Sequence, residues 1–383
     1  MNRPTNREGA PIPDDRHNLD VPYPTDYVEG ARNGVFTCLS VRPGERCVLI
    51  ADRDNCEIAA ALAAQFRLAG AHLTTFLLEE CARRPITDLP APIAEALETA
   101  DVSCFAAGAL PGELAMRIPM TAIVNRRKIR HAHMVNISPR IMREGMRADF
   151  VQVDALSLWV LERTRPAREI VVRSPAGTDL RATFDPSILW LKTSGIITPE
   201  KWNNLPGGEV FTSPARVDGV FVCDGVLGDW LAPKYGDMRA YPLAVTIADS
   251  RIVDIRCPRR EITDDFREYT SQRPNSNRVG EFALGTNLAL KDVIGEILQD
   301  EKLPGVHIAF GHPYSEHTGA KWTETTHIDI VGRNLDVTID GEPIMRASRY
   351  LLDLETLPRG EPRLGEARVP KLDLASARLG IAF

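Results

Sequence analysis

Four of the eight histidines in this 383-residue chain fall within residues 304–331, which read PGVHIAFGHPYSEHTGAKWTETTHIDIV. They are His307, His312, His317 and His327. Asp329 follows His327 with one residue between them. Because residues i and i+2 of a strand point to the same face, this pair would present an imidazole and a carboxylate side by side. The residues around the pair are β-branched, which favours a strand.

Two segments upstream place a glutamate directly after glycine and before an apolar run. Residues 203–214 read NNLPGGEVFTSP, which puts Glu209 after a Pro-Gly-Gly turn, and residues 280–287 read GEFALGTN, which begins with Gly280 and Glu281. Both contexts put a carboxylate on a rigid element, as a bridging metal ligand requires. Together with a strand-like GVHIAFG around His307, they supply carboxylates and imidazoles without a thiolate. Such a mixture suits two divalent ions such as Zn, Co or Mn.

These four segments, in this order, resemble the M29 metallo-aminopeptidases, also called the aminopeptidase T or thermophilic leucyl aminopeptidase family. The resemblance covers most of residues 21–350 and is strongest in the C-terminal half. It implies five metal ligands: Glu209, Glu281, His307, His327 and Asp329. It also implies a catalytic role for Glu281 and for Tyr314, which lies seven residues after His307.

The activity implied by the resemblance is hydrolysis of an amide bond in a small molecule or a short peptide. Two ions would lower the pKa of a bridging water and polarise the scissile carbonyl. One of the glutamates would pass the proton to the leaving amine, and Tyr314 would stabilise the oxyanion or cap one metal. The family further implies an α/β N-terminal domain, a C-terminal catalytic domain and a homodimer.

The segment between His307 and His327 departs from the family pattern because it is short and unusually polar. We expect it to line the substrate pocket, with contributions from His312, His317 and Trp322. Glu316 and Glu324 are expected to be solvated or to support the ligands.

A mononuclear Fe(II) ring-cleaving dioxygenase of the 2,5-dihydroxypyridine type is the alternative. It would use His327, Asp329 and a third ligand from His307, His312 or His317. An iron enzyme of that type needs neither Glu209 nor Glu281, and the presence of both favours the hydrolase. A structural metal-binding protein is a third hypothesis, but five ligands in motif order exceed what a structural site requires.

The N-terminal half alternates apolar runs with helix-like segments, which predicts a parallel sheet with helices on its faces. Strands are predicted at 47–52, 72–80, 101–108, 122–124 and 133–137, and helices at 25–39, 55–69, 91–100 and 151–164. The half contains neither a G-x-G-x-x-G nor a P-loop motif, so no nucleotide site is expected.

Beyond residue 168 the pattern becomes strand-rich and turn-rich, which predicts a β-rich α+β catalytic domain. A hairpin is predicted over 169–184, another at the Asp-Gly turn of LDVTIDGEPIM, and one long helix over 288–302. The predicted organisation is a disordered lead (1–20), an α/β domain (21–167) and the metal-binding domain (168–383).

Composition excludes several classes of protein. The net charge of −6 gives no reason to expect nucleic acid or an anionic membrane as partner, and the polar N-terminus lacks the core of a signal peptide, which predicts a cytoplasmic protein. Seven scattered cysteines without a C-x-x-C pair predict reduced thiols. His131 and His133 lie in a basic stretch that predicts a solvated edge or, alternatively, a rim for an anionic substrate.

Overall fold

The computed structural model describes residues 19–228 and 230–357. With strands numbered in chain order, the first sheet contains β1 (Arg46–Ala51), β2 (His72–Leu77), β3 (Val102–Ala106), β4 (Arg130–His133) and β8 (Asn203–Asn204). All pairs are parallel and the order is β2-β1-β3-β4-β8. The predicted parallel sheet is confirmed. Strand β8 comes from beyond residue 168, so the chain returns once to this sheet.

Helices cover both faces of the parallel sheet. They are α1 (Val28–Arg32), α2 (Cys56–Leu68), α3 (Leu78–Cys81), α4 (Ala91–Thr99), α5 (Leu114–Arg127), α6 (Pro139–Arg143) and α7 (Phe150–Thr164). A 3-10 turn at Thr25–Tyr27 precedes α1, a π-helical segment at Asn33–Cys38 follows it, and a further 3-10 turn spans Gly145–Arg147. Helix α2 packs Leu62 and Phe66 against one face of the sheet, whereas α5 packs Met120 against Ile50 and Phe105 on the other.

Two of the predicted strands in this half are wrong. Residues 122–124 lie inside α5, where Met116, Met120 and Val124 recur at intervals of four and form one buried helical face. The strand predicted at 133–137 is instead Arg130–His133. Asn136 has a positive φ of 58°, so the backbone is no longer extended shortly after the end of Arg130–His133.

The basic stretch around β4 is only partly solvated. Arg126, Arg127 and Lys128 are exposed as expected, but His131 and His133 are 0% and 5% exposed, so the predicted solvated edge is wrong for both histidines. The Nε2 of His131 lies 3.1 Å from the Nδ1 of His133, and the pKa of His131 is lowered to about 3 by burial. Strand alternation directs both rings to the face covered by α5.

An antiparallel sheet of eight strands follows in the second half. It comprises β5 (Glu169–Arg173), β6 (Asp179–Thr183), β10 (Arg216–Cys223), β11 (Leu243–Ala248), β12 (Arg251–Arg256), β16 (Asp336–Ile339), β17 (Glu342–Arg346) and β18 (Arg349–Tyr350). Its order is β12-β11-β10-β6-β5-β16-β17-β18. Both predicted hairpins are confirmed, and Asp340 and Gly341 between β16 and β17 have positive φ, as a tight hairpin turn requires.

A second antiparallel sheet, termed the site sheet, carries the predicted ligands. It consists of β7 (Leu191–Thr193), β9 (Glu209–Thr212), β13 (Val279–Gly285), β14 (Gly305–Gly311) and β15 (His327–Val331) in the order β15-β14-β13-β9-β7. Even-numbered residues such as Phe282, Ile308 and Ile330 join one apolar core with Phe221 and Val245 of the eight-stranded sheet. Because side chains alternate along a strand, the odd-numbered residues lie on the opposite face.

The long helix predicted over 288–302 is wrong. Only α10 (Ile297–Asp300) is helical there, because Gly295 has a φ of 82° and interrupts the segment. The carboxylate of Asp300 instead accepts hydrogen bonds from the backbone N–H groups of Ile294, Gly295 and Glu296. The remaining helices are α8 (Leu231–Tyr235), α9 (Arg260–Thr270) and α11 (Ser315–Thr318), with 3-10 turns at Met238–Ala240 and Leu354–Thr356.

The other sequence predictions have mixed outcomes. All seven cysteines are free thiols, as predicted. Residues 19–228 and 230–357 contain no helix with the length and apolar character needed to cross a membrane. The predicted lead falls almost wholly outside the described residues, and the domain boundary at 167/168 stays a prediction.

Candidate metal centre

All five predicted ligands project from one face of the site sheet. They are odd-numbered residues on four adjacent strands, β9, β13, β14 and β15. Four of the positions paired with them across the sheet are small, namely Ala283, Gly285, Ala309 and Gly311, whereas His307 also pairs with Val331 and Glu209 with Thr193. Residues directly opposite each other in an antiparallel pair share a face. The small residues therefore leave open space between the ligand side chains.

Glycines set the direction of the two glutamates. The register of β13 and β14 shifts between Val279 and Glu281, and a Cβ on Gly280 would lie 2.1 Å from the carbonyl oxygen of Gly311. A bulge of this kind re-aims the side chain next to it, here Glu281. Gly208 has a φ of 131°, a backbone conformation that favours glycine, and it sets the direction of the chain before Glu209.

The ligand atoms form two groups that share Glu281. In the first, the Nε2 of His307 lies 3.6 Å from the Oε2 of Glu209 and 3.7 Å from the Oε1 of Glu281. In the second, the Nε2 of His327 lies 3.6 Å from the Oε2 of Glu281 and 3.5 Å from the Oδ1 of Asp329. We term these groups position one and position two. Each oxygen of Glu281 faces a different imidazole.

The donor set fits divalent metal ions. Ligand atoms lie about 2.0–2.2 Å from a zinc ion, so donors around one ion are separated by roughly 3 to 4 Å. The Oδ1 of Asp329 is buried and has no hydrogen-bond partner among the described residues, although two imidazole nitrogens lie 3.5 and 3.8 Å away. A buried carboxylate oxygen without a hydrogen bond is costly unless a cation occupies the space beside it.

The carboxylates alter the pKa of both histidines in the metal-free protein. Burial lowers the pKa of His307, but contact with Glu281 and the charge of Asp329 outweigh this effect and raise it to about 9. Burial likewise opposes the charged form of His327, whereas the charge of Asp329 raises its pKa to about 10. Both imidazoles therefore carry a proton at pH 7 when no metal is bound.

The carboxylates respond in different directions. Burial raises the pKa of Glu281. Burial also acts to raise the pKa of Asp329, but the charge of His327 lowers it to about 2. For Glu209 burial is again outweighed, chiefly by the charge of Lys302, and its pKa is lowered. Glu281 is thus the carboxylate of the set that holds a proton most readily.

Tyr314 lies against position two. Its ring makes edge contacts with Phe211, His312 and His327 at centroid distances of 5.5, 5.0 and 5.2 Å. Burial, together with the charges of Glu281 and other carboxylates, raises the pKa of Tyr314 well above its usual value. The hydroxyl is consequently a neutral donor at physiological pH.

The predicted substrate loop has both buried and exposed members. His312 is half-buried and its Nδ1 accepts a hydrogen bond from the backbone N–H of Tyr314, whereas His317 is exposed. The guanidinium of Arg278 lies over the ring of Trp322, 4.2 Å from its centroid. Glu324 is buried and accepts backbone hydrogen bonds from Asn275 and Thr325. The contribution of this loop to substrate binding stays a prediction.

Three side chains beside the ligands were not predicted. The ammonium of Lys302 contacts both Glu209 and Glu301, and the hydroxyl of Thr193 donates to Glu209. Burial raises the pKa of Glu301 to about 7, with Asp329 and Glu209 adding to the shift. The sequence held one signal for them, since Glu301 and Lys302 are adjacent charged residues shortly before the strand that carries His307.

Comparison with known proteins bears on the identity of this region. Residues 161–338 match the sequence model of the family described as thermophilic metalloprotease (M29). No curated protein sequence matches the chain. The match confirms the resemblance drawn from the motifs, and with it the prediction of an enzyme of the M29-like metallopeptidase type.

Two solved structures share the fold. One is 2,5-dihydroxypyridine dioxygenase from Pseudomonas putida KT2440, with 19% identity, a TM-score of 0.63, and 87% of this chain and 99% of that chain covered. The other is wild-type AmpT from Thermus thermophilus, with 18% identity, a TM-score of 0.63, and 85% of this chain and 99% of that chain covered. At these identities both likenesses concern the fold, so the α/β-plus-β-rich architecture predicted from the sequence is confirmed.

Proposed function

We propose, from the premise that residues 161–338 are M29-like, that the protein is a dinuclear-metal hydrolase of amide bonds with aminopeptidase-like activity. The observation that carries the proposal is the placement of Glu281. Its two carboxylate oxygens face His307 and His327 separately, at 3.7 and 3.6 Å. A carboxylate shared in this way is the arrangement that holds two ions a few ångströms apart.

The proposed ligands are Glu209, Glu281 and His307 at position one, with Glu281, His327 and Asp329 at position two. Each group has two carboxylates and one imidazole, whereas an iron dioxygenase site needs two histidines and one carboxylate. Oxygen and imidazole donors without thiolate suit Zn, Co or Mn. His307, His327 and Asp329 also supply two histidines and one carboxylate, with the Oδ1 of Asp329 3.8 and 3.5 Å from the two Nε2 atoms. What favours the hydrolase over the dioxygenase is that Glu209 and Glu281 complete two separate groups.

Two such ions supply the chemistry by lowering the pKa of a bound water and polarising the substrate carbonyl. The protein supplies the proton transfer: Glu301 is not among the proposed ligands, and burial raises its pKa to about 7, which is the range that a proton carrier needs. The hydroxyl of Tyr314 is available to donate to the developing oxyanion.

Metal analysis tests the proposal directly. Protein stripped with a chelator should lose activity on leucine p-nitroanilide, and added Zn, Co or Mn should restore it with about two equivalents bound. N-acetylleucine p-nitroanilide is the matched control, because an aminopeptidase requires the free amine. One equivalent of iron, with oxygen uptake on 2,5-dihydroxypyridine, would overturn the proposal in favour of the dioxygenase.

Metal binding should release protons in a pH-dependent way. With the pKa of His307 at about 9 and that of His327 at about 10 in the metal-free protein, both rings are protonated at pH 7 and must become neutral to bind metal. Affinity should therefore rise with pH, by up to about tenfold per unit for each proton displaced, and level off above these values. Calorimetric titration with Zn²⁺ in two buffers of different ionisation enthalpy counts the protons. Binding at pH 7 without proton release would contradict the ligand assignment.

A further inference from the structure

Lys302 is a fully buried lysine that the proposed hydrolysis does not use. Its side chain is 2% exposed, and its ammonium lies 2.7 Å from the Oε1 of Glu209 and 2.5 Å from the Oε1 of Glu301. A buried ammonium is stable only with such partners, since desolvation of an unpaired charge is costly. Because Lys302 is buried, its charge does not serve to keep the surface of the protein soluble, and its pairing with Glu209 and Glu301 has another role.

The fold brings Lys302 to Glu209 through a glycine. Gly285 of β13 pairs with Glu209 of β9, and a Cβ on Gly285 would lie 1.9 Å from the carbonyl oxygen of Leu303. The backbone N–H of Asn287 donates to the carbonyl oxygen of Lys302. The segment before β14 therefore packs directly against the site sheet. This packing places the ammonium of Lys302 beside the ligand cluster.

The ammonium limits how Glu209 can bind. Its Oε1 accepts from both Lys302 and the Thr193 hydroxyl, at 2.7 and 2.8 Å. Its Oε2 faces His307 at 3.6 Å. With one oxygen engaged by the protein, Glu209 presents a single oxygen to position one.

We propose that Lys302 is a positioning residue that acts as a resident counter-cation of the centre, an inference that rests on the proposed function. It holds Glu209 with one oxygen toward position one. It also keeps the buried carboxylates assembled when no metal is bound. Position two, formed by Glu281, His327 and Asp329, has no ammonium in contact with it among the described residues.

The sign of the effect on metal binding follows from electrostatics. In the metal-free protein Lys302 neutralises buried carboxylates, which stabilises that state. In the loaded protein the same ammonium lies beside a divalent ion and repels it. Loss of the charge should therefore destabilise the metal-free state more than the loaded state. By thermodynamic linkage the metal must then bind more tightly.

The test compares Lys302→Met with the wild type by thermal unfolding, with and without Zn²⁺, and by calorimetric titration with Zn²⁺. The unfolding midpoint should fall more in the metal-free form than in the loaded form. One of the two zinc sites should tighten by about tenfold or more, while the other changes by less than about threefold. Lys302→Arg, which keeps the charge, should stay close to the wild type in both measurements.

Arg333→Met is the matched control. Arg333 is a buried cation paired with Asp237 and Asp292, which lie outside the ligand set. Its loss should lower both midpoints equally and leave zinc affinity unchanged. If Lys302→Met does not fold, Lys302→Gln, which retains hydrogen-bonding capacity, should tighten zinc binding in the same direction.

Two negative results remain distinguishable. Equal destabilisation of both forms with unchanged zinc affinity in the Lys302 variants would overturn the counter-cation role, while the wild type still bound two ions. Wild-type protein that takes up no zinc at all would instead overturn the proposed function, and this inference with it.

Discussion

Glu281→Gln is expected to lose metal from at least one of the two positions and at least about 10³-fold in kcat/KM, which corresponds to about 4 kcal/mol of transition-state stabilisation. The reason is that the carboxylate turns one oxygen to His307 and the other to His327. An amide keeps the size of the side chain but replaces one oxygen with an NH₂ group, which has no free lone pair for a metal. Metal content after dialysis, measured together with kcat/KM, checks the expectation.

The stability of the metal-free variant shows whether Glu281→Gln loses metal binding alone or fails to fold. Burial raises the pKa of Glu281, so a neutral amide removes a buried charge that the metal-free fold does not favour. The metal-free variant should therefore unfold no earlier than the metal-free wild type. Glu316→Gln is the matched control, since Glu316 is an exposed loop glutamate and its variant should keep both ions. Two equivalents of metal in Glu281→Gln would refute the shared-ligand assignment.

The juxtaposition of the proposed ligands was predictable because each one depends on a local pattern. His327 and Asp329 share a face by strand alternation alone. Glu209 and Glu281 each follow glycine at an apolar run, a context that places them on strands. The local pattern does not predict how the four strands pair. That pairing places Glu281 between the two histidines.

Features that depend on distant contacts escaped prediction. Glu301 and Lys302 were assigned to a long helix because residues 288–302 are rich in helix formers, yet Gly295 and the Asp300 carboxylate break that segment. The contact between Lys302 and Glu209 joins residues far apart in sequence and depends on the absence of a side chain at Gly285. Neither the break in the 288–302 segment nor the contact between Lys302 and Glu209 produces a periodic pattern in the sequence.

The histidines of β4 illustrate the same limit. Their arginine and lysine neighbours predict that both histidines are exposed to solvent. Charged neighbours in the sequence, however, do not indicate which face of a strand is covered by the rest of the protein. The Oγ of Ser103 lies 2.8 Å from the Nδ1 of His131, and the ring of Phe105 stacks on that of His133. Both partners lie on β3, so the burial of the histidines follows from sheet order and not from local composition.

Tyr314→Phe is expected to lower kcat by about 10²- to 10³-fold, the usual effect of removing one oxyanion donor. Phenylalanine preserves the ring contacts with Phe211, His312 and His327 and removes only the hydroxyl. Because burial raises the pKa of Tyr314, its hydroxyl remains protonated and able to donate throughout the neutral range. An interaction made only in the transition state lowers kcat and kcat/KM together and leaves KM nearly constant.

Metal content decides between the two roles that Tyr314 could have. If the hydroxyl donates to the oxyanion, Tyr314→Phe retains two ions and loses only turnover. If it caps one metal, the variant loses about one equivalent, and added metal partly restores its activity. Since Glu281 and His327 already supply ligands beside the ring, we expect the first outcome. A kcat within threefold of the wild type would leave Tyr314 as a packing aromatic and remove it from the catalytic set.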